Sequence, residues 1–193
     1  MKRILILALC GIAAFYGCKC SNEKTSSTEP EAQEQEQAKE DTCLDAINRY
    51  MTELGAQYAE AEYTIPYALI VKTDDSDPDD IKVWGDFRVE NYNLDGETLK
   101  CVSGGSHPGL MHVSKTADGY KVTGFDEVGD GSDFNPTAKA IFGELYDAFI
   151  ALQSNDEAKA AARGKSIADF VDDNDIDASY YQDYGWPAVE IDD

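Results

Sequence analysis

The most unusual local sequence in this chain of 193 residues is a glycine-rich segment around one of its two histidines. The segment consists of Ser103, Gly104, Gly105, Ser106 and His107. Glycines let a backbone approach a ligand closely, and a histidine can exchange protons near neutral pH. Neither a lysine nor a helix start follows, which excludes a phosphate-binding P-loop. The segment is therefore either a ligand loop or a wide strand connection whose glycines serve backbone geometry.

The second histidine, His112, lies where inward residues of neighbouring strands could share a pocket. The other candidate members of this pocket are Trp84, Asp86 and Asp126. A histidine beside a carboxylate is suited to general acid–base chemistry. No spacing selects these residues over others, and the sequence has no Gly-x-Ser-x-Gly motif. We therefore expect His112 to be an ordinary, partly buried side chain without a catalytic role.

Two acidic clusters suggest calcium. Asp173, Asp175 and Asp177 alternate as at the start of an EF-hand loop, but the glycine and the bidentate glutamate required further on are missing. Residues 74–80 are dense in carboxylates without a defined ligand geometry. We interpret both clusters as solvated turns and predict no cofactor and no structural metal. Weak Ca²⁺ binding by the three aspartates remains the alternative.

Five cysteines are present, and two of them, Cys43 and Cys101, lie in the predicted domain. An oxidising compartment would permit them to pair. The enclosed loop of about 58 residues would stabilise the fold by roughly 4 kcal/mol in the chain-entropy model. Alternatively, each cysteine packs as a small apolar side chain. The sequence leaves both possibilities open.

A first helix is predicted from Thr42 to Glu62. Thr42 and Asp45 form a capping-box-like start. The helix has one apolar stripe with spacings of three and four residues, made of Leu44, Ile47, Met51, Leu54 and Tyr58. Such a stripe is typical of a side that packs against a core.

The pattern then changes to the two-residue period of strands. The predicted strands are 63–73, 81–92, 98–103, 110–115 and 120–128. Turn signals at 93–96 and 117–119 join successive strands tightly. This arrangement predicts an antiparallel meander of four to five strands.

Two C-terminal helices are expected after the meander. Asn135 and Pro136 start the first, which runs to about Leu152, and Ser154 with Glu157 starts the second, which runs to about Val171. The order of helix, antiparallel sheet and helices predicts an α+β domain with its helices on one face of the sheet.

The first helix and the curled meander, including Val83-Trp84-Gly85-Asp86-Phe87, resemble the cystatin-like or NTF2-like roll. The resemblance covers residues 42–130 and includes no catalytic signature. The two C-terminal helices depart from the usual NTF2-like order, which places its helices first.

The N-terminus has the composition of an export signal. Met1-Lys2-Arg3 precedes an uncharged run from Ile4 to Tyr16, which is too short to span a membrane, and Gly17-Cys18 follows. The end of this series resembles a bacterial lipobox, although Phe15 and Tyr16 depart from its preferred residues. We predict a signal peptide over residues 1–17 and lipidation of Cys18 by acyl chains such as palmitate. The alternative is ordinary signal cleavage, with an incidental thiol at Cys18.

Residues 18–40 contain no large apolar side chain and are rich in Ser, Thr, Glu and Gln. Such a segment cannot bury enough surface to order itself, so we expect a disordered acidic tether. Its reach is on the order of 25 Å. Residues 41–193 then form a single domain with an acidic C-terminal tail.

The formal net charge is −22, and removal of residues 1–17 takes away Lys2 and Arg3 and no acid, which gives −24. A surface of this sign repels nucleic acids and anionic lipid head groups. Membrane attachment must therefore come from the acyl chains. The partners that remain are cations, basic proteins, and neutral glycans or small molecules.

Together these observations predict an exported lipoprotein of the cell envelope, placed in the outer membrane with the leaflet left open. Its domain is expected to be a non-catalytic binding or interaction module that uses its sheet face or residues 103–107. A small-molecule or enzymatic pocket inside the roll and a structural envelope accessory are the alternatives. The signal and the run from Ser103 to Asp133 resemble uncharacterised lipoproteins of Bacteroidetes-type bacteria, which implies no activity.

Overall fold

The computed structural model describes residues 41–192. The predicted signal peptide, Cys18 and the tether lie outside the described residues. The described part is an α+β domain, as predicted, but its sheet is mixed and six-stranded rather than an antiparallel meander of four to five strands. None of its helices combines the length and the apolar character needed to cross a bilayer.

The elements follow one another along the chain in the order helix, meander, helices and two short strands. The α-helices are α1 (Cys43–Gly55), α2 (Phe134–Phe142), α3 (Tyr146–Gln153) and α4 (Asp156–Asp173). The strands are β1 (Tyr63–Asp74), β2 (Ile81–Asp95), β3 (Thr98–Thr116), β4 (Gly119–Glu127), β5 (Tyr180–Gln182) and β6 (Val189–Glu190).

Helix α1 begins where the sequence predicts, but it ends earlier than predicted. The Thr42 hydroxyl accepts a hydrogen bond from the Asp45 amide, and the Asp45 carboxylate accepts one from the Thr42 amide. The helix stops at Gly55, well before the predicted end at Glu62. The buried Asn91 side chain of β2 donates to the Gly55 and Ala59 carbonyls, so it satisfies backbone groups freed where the helix ends.

The segment predicted as a loop at residues 103–107 lies inside a strand. The predicted strands 98–103 and 110–115 are parts of one continuous strand, β3. Its residues pair one to one with β2, from Ser103 opposite Asn91 to His107 opposite Phe87. The loop interpretation is therefore wrong, because pairing with β2 holds the glycines in extended backbone.

The middle of β3 has a neighbouring strand on one side only. On the edge away from β2, β5 pairs in parallel with Thr98 to Lys100, and β4 pairs with Gly109 to Thr116. Residues Val102–His107, called here the β3 gap, lie between these two pairings. Within residues 41–192, no strand covers this edge.

Helices pack on both faces of the sheet, which corrects the expectation of one face. On one face, α1 places Ile47 and Met51 against Phe87 and Val89 of β2. On the other face, α4 packs against Ile65 of β1 and Tyr92 of β2. Helices α2 and α3 pack there as well, around Trp84 and Phe149. Both faces of β2 carry large apolar side chains, so helices must shield both faces from water.

The region predicted as one helix from Asn135 to Leu152 is broken in the middle. Helix α2 ends at Phe142, a short 3₁₀ turn spans Gly143–Leu145, and α3 follows. Gly143 has a φ of 52°, a conformation that favours glycine and ends a helix. There are therefore three C-terminal α-helices rather than two.

Candidate functional site

A network of charged groups crosses the sheet face away from α1, with Arg163 of α4 at its centre. The Arg163 Nε lies 2.6 Å from Glu90 Oε2, and its two terminal nitrogens lie 2.8 and 2.6 Å from the two oxygens of Asp183. The Tyr92 hydroxyl donates to Glu90 Oε2 at 2.5 Å and accepts from Arg163 Nε at 2.9 Å. We call these four residues the Arg163 network.

Three members of the Arg163 network are largely withdrawn from water, whereas the side chain of the fourth, Asp183, is 46% exposed. The side chains of Arg163 and Glu90 are only 12% and 15% exposed. Burial and the Glu90 carboxylate raise the pKa of Tyr92. Burial alone would lower the pKa of Arg163, but hydrogen bonding to Asp183 raises it overall. The Arg163 hydrogen bond lowers the pKa of Asp183. At neutral pH the network therefore holds a charged guanidinium, an ionised Asp183 and a neutral phenol.

A second buried group extends this network along β2. Asp86 has no exposed surface, and its carboxylate accepts from Arg88 Nε at 3.0 Å and from the Ser106 hydroxyl at 2.6 Å. Arg88 also donates to the Tyr67 hydroxyl, which donates to Glu90. Burial, followed by the Glu90 charge, raises the pKa of Tyr67 to about 12. These buried polar side chains thus satisfy one another's hydrogen bonds.

An open pocket of about 410 Å³ lies beside these groups and along the β3 gap; we call it the β3 pocket. Its lining residues are Arg88, Glu90, Cys101, Val102, Ser103, Gly104, Gly105, Ser106 and Tyr184. The Tyr184 side chain is 98% exposed, and Trp186 nearby is 71% exposed. Exposed aromatic rings beside a polar pocket are typical of binding surfaces.

Arg88, Glu90 and Cys101 contribute ionisable groups to the lining of the β3 pocket. Arg88 and Glu90 already have partners of opposite charge in the fold. Burial, followed by the Glu90 charge, raises the pKa of the Cys101 thiol to about 11. Since the thiolate is the reactive form, this cysteine is a poor nucleophile at neutral pH.

His107 lies on the opposite face, toward α1. It is buried, its Nδ1 is 2.5 Å from Glu127 Oε1, and its Nε2 is 2.7 Å from the Tyr58 hydroxyl. An ionised carboxylate can only accept, so Nδ1 donates to Glu127. A Cβ at Gly105 would lie 1.8 Å from the Tyr58 hydroxyl oxygen. Gly105 therefore leaves the space that this phenol occupies.

The pocket predicted around His112 is not assembled. His112 Nδ1 lies 2.6 Å from Asp80 Oδ1, and its Nε2 lies 3.5 Å from Asp126. Trp84 instead donates from Nε1 to the Ile141 carbonyl, and Asp86 belongs to the buried group on β2. The hydrogen bond from His112, followed by that from Lys82, lowers the pKa of Asp80. Of the four predicted residues, only His112 and Asp126 are brought together.

Cys43 and Cys101 are free thiols. Cys43 packs against the core formed by α1 and β2, whereas Cys101 packs against the core around Tyr92 and Ile167 on the other face. The structure does not support the disulfide, because the sheet lies between the two cores.

Three potential metal ligands, Glu90, Cys101 and Asp183, bring one ligand atom each within 4.8 Å of the others. The Arg163 guanidinium already bonds both carboxylates, so a cation there would meet a fixed positive charge. The residues therefore do not fit a metal. Within residues 41–192 this is the one grouping of its kind, so the predicted calcium candidates Asp173, Asp175 and Asp177 do not converge on a common point.

No protein-family model, no curated protein and no solved structure matches this chain. Its function therefore has to follow from the geometry of its own residues. The class that this geometry defines is an α+β domain with an open strand edge beside a polar pocket.

The sequence identified the glycine-rich segment and missed the residues that form the rest of the β3 pocket. Glu90, Arg163 and Asp183 are far apart along the chain, and no local spacing connects them. A signal was present in the C-terminal tail, where Tyr180 and Tyr181 favour a strand more than a solvated turn. That strand, β5, brings Asp183 and Tyr184 to the edge of β3.

Proposed function

We propose that this chain is a lipid-anchored lipoprotein of the cell envelope, whose domain binds a partner at the β3 pocket without catalysing a reaction. The observation that carries this proposal is the combination of a bare strand edge and a fully exposed aromatic ring, Tyr184, around one polar pocket. The Arg163 network holds Glu90, one of the lining residues, in place before a partner arrives, which reduces the entropy lost on binding.

The cellular location and the relatives of the chain belong to the same proposal. The series of basic residues, an apolar run, Gly17 and Cys18 supports export and lipidation, with the outer membrane as destination. Membership of a cystatin-like or NTF2-like group, and kinship with lipoproteins of Bacteroidetes-type bacteria, remain proposals that rest on the sequence resemblance.

The binding role is tested by photo-crosslinking in cells with the full chain. A photoreactive amino acid is placed at Val102 or Tyr184 in the β3 pocket, or at Lys121, an exposed control position on β4. We expect light-dependent adducts at the first two positions and none at Lys121. Protease treatment of the adducts then distinguishes a protein partner from a glycan.

Two outcomes contradict the binding proposal. Equal adducts at all three positions indicate a crowded surface without a defined site, as a structural accessory would have. No adducts at Val102 and Tyr184 indicate that this pocket has no partner in the cell.

Lipidation is tested with a radiolabelled fatty acid. We expect Cys18→Ser to abolish labelling of the chain, because the acyl chains need the Cys18 sulfur. Cys20→Ser is the matched control and should leave labelling unchanged. Labelling that survives Cys18→Ser at the wild-type level rules out this anchor.

A further inference from the structure

We infer that the β3 gap binds an extended, basic peptide segment of a partner protein, which adds to the sheet as a further strand. This inference rests on the proposed function and names the class of partner. It follows from the direction of the main-chain groups in the gap, the way the gap ends, and the charge of the chain.

The main-chain groups of alternate residues in the gap point outward. The Val128 amide donates to the Pro108 carbonyl at 2.9 Å, so the Pro108 carbonyl faces away from β2. In antiparallel strands, residues two apart direct their N–H and C=O groups to the same side. The register with β2 runs without interruption from Ser103 to Pro108. The N–H and C=O groups of Gly104 and Ser106 therefore also face away from β2.

These four groups are available to a ligand. Gly104 and Ser106 are both exposed, and within residues 41–192 neither belongs to a second ladder on the outer edge. Unpaired strand edges are templates for pairing with another chain, and proteins normally cover them or keep them short. Peptides that bind by strand addition use such groups for affinity and alternate side chains for specificity.

The ends of the gap set the length of the occupant. Gln182 of β5 pairs with Lys100 at one end, and Glu127 of β4 pairs with Gly109 at the other. Of the eight residues between these two pairings, the six of the β3 gap, Val102–His107, span about 20 Å of strand. A single extended segment fits between the two strands. The β3 gap of a second copy does not fit there, because the β4 and β5 strands that flank it would collide with those of the first copy.

The surroundings of the gap offer contacts to a peptide's side chains. Val102 is an apolar side chain that is 45% exposed, and the Tyr184 ring stands free beside it. Gly104 presents no side chain, so a large apolar or aromatic peptide residue can lie over it in the β3 pocket. Alternate peptide side chains would point into the β3 pocket, because the side chains of a strand alternate between faces.

The charge of the chain selects a basic segment. A formal net charge of −22 draws cationic segments and repels acidic ones. The chain's own residues 19–40 are a poor occupant, since they contain six glutamates and three lysines. The partner is therefore a separate protein with an extended stretch rich in lysine or arginine.

The test uses a displayed library of random linear peptides, selected on the chain from Lys19 to Asp193. This form retains all three hydrophobic cores, which lie within residues 41–192. We expect enrichment of peptides that combine basic residues with β-branched or aromatic ones. Their affinity should fall as salt is added, because charge contributes to binding.

Backbone methylation of one selected peptide tests the binding mode. N-methylation removes a single N–H donor at a time. Methylation at every second position should weaken binding by about tenfold or more. Methylation at the positions between should change the affinity little. The inference of strand addition is overturned if the loss of affinity along the peptide shows no two-residue period.

Two variants of the chain test the location. Val102→Lys adds a positive charge in the gap and should reduce the affinity for a basic peptide by about tenfold. Ala161→Lys adds the same charge at an exposed position of α4 and should change this affinity by less than about threefold. Equal effects of the two variants would overturn the assignment to the β3 gap.

The remaining outcomes separate this inference from the proposed function. If no peptide is enriched but Val102 gives adducts of glycan in cells, the inference fails and the binding proposal stands. If a synthetic peptide of residues 19–40 displaces the selected peptides, the occupant is the chain's own tether, and the inference of a separate partner is wrong.

Discussion

Replacing Arg163 with methionine is expected to lower the free energy of unfolding by about 3–5 kcal/mol. The change removes the guanidinium that neutralises both Glu90 and Asp183. Glu90 then keeps a carboxylate that is 15% exposed and has lost its opposite charge, and this unpaired buried charge is the main cost. Urea denaturation followed by tryptophan fluorescence measures the effect.

Lys165→Met is the matched control, because it lies on the same helix and also loses an ion pair. The Lys165 side chain is 75% exposed and pairs with Asp169 one turn later. Exposed pairs contribute little, so we expect a change below about 0.5 kcal/mol. Combining Arg163→Met with Glu90→Gln should recover part of the loss, since the stranded charge is then gone. Equal effects of Arg163→Met and Lys165→Met would contradict the buried network.

The cost of Arg163→Met should also depend on pH. Arg163 lowers the pKa of Asp183 in the folded protein below its ordinary value of 3.8. A carboxyl group with a lowered folded pKa stabilises the fold above its unfolded pKa, and this contribution disappears as the pH falls through the folded pKa. The difference in unfolding free energy between wild type and Arg163→Met should therefore narrow below about pH 4.

Gly105→Ala is expected to lower the free energy of unfolding by roughly 1–3 kcal/mol. The new Cβ would lie 1.8 Å from the Tyr58 hydroxyl oxygen and 3.1 Å from His107 Nε2. The phenol must move away, and the buried His107 loses the hydrogen bond to its Nε2. A buried polar group without a partner carries the desolvation cost that sets this magnitude.

Gly164→Ala is the control for this substitution, and it should raise rather than lower the free energy of unfolding. Gly164 lies inside α4, and a Cβ there would meet only the Tyr181 hydroxyl, at 4.0 Å. Alanine in a helix interior is favoured over glycine by about 0.5–1 kcal/mol, so this variant should be more stable than wild type. In a Tyr58→Ala background, Gly105→Ala should lose most of its cost. A Gly105→Ala protein as stable as wild type would show that the phenol does not occupy this space.

Features that depend on neighbours in the sequence could be predicted. The capping box of Thr42 and Asp45, the alternation along β2 and the turn before Tyr120 are encoded within a few residues, and all are present. The α+β class follows from their order. The end of α1 could not be predicted locally, because the Asn91 side chain that donates to the Gly55 carbonyl is distant in sequence.

Features that depend on distant partners could not be predicted. Glycine and proline near His107 are loop signals by local rules, and pairing with β2 overrides them. The Arg163 network unites residues of α4, β2 and the C-terminal tail. The cysteine pairing depended on which face Cys101 takes, and a register shift between Asn91 and Tyr92 helps to set that face. Local periodicity contains none of this information.

Amide hydrogen exchange of the unliganded chain, resolved by residue, tests most directly whether the β3 gap is an open edge for a partner. The Gly104 and Ser106 amides should exchange rapidly, because they face away from β2 and are exposed. The Gly105 and His107 amides should be protected, because they face β2. Strong protection of Gly104 and Ser106 in the free chain would show that the edge is already covered, and would contradict the account.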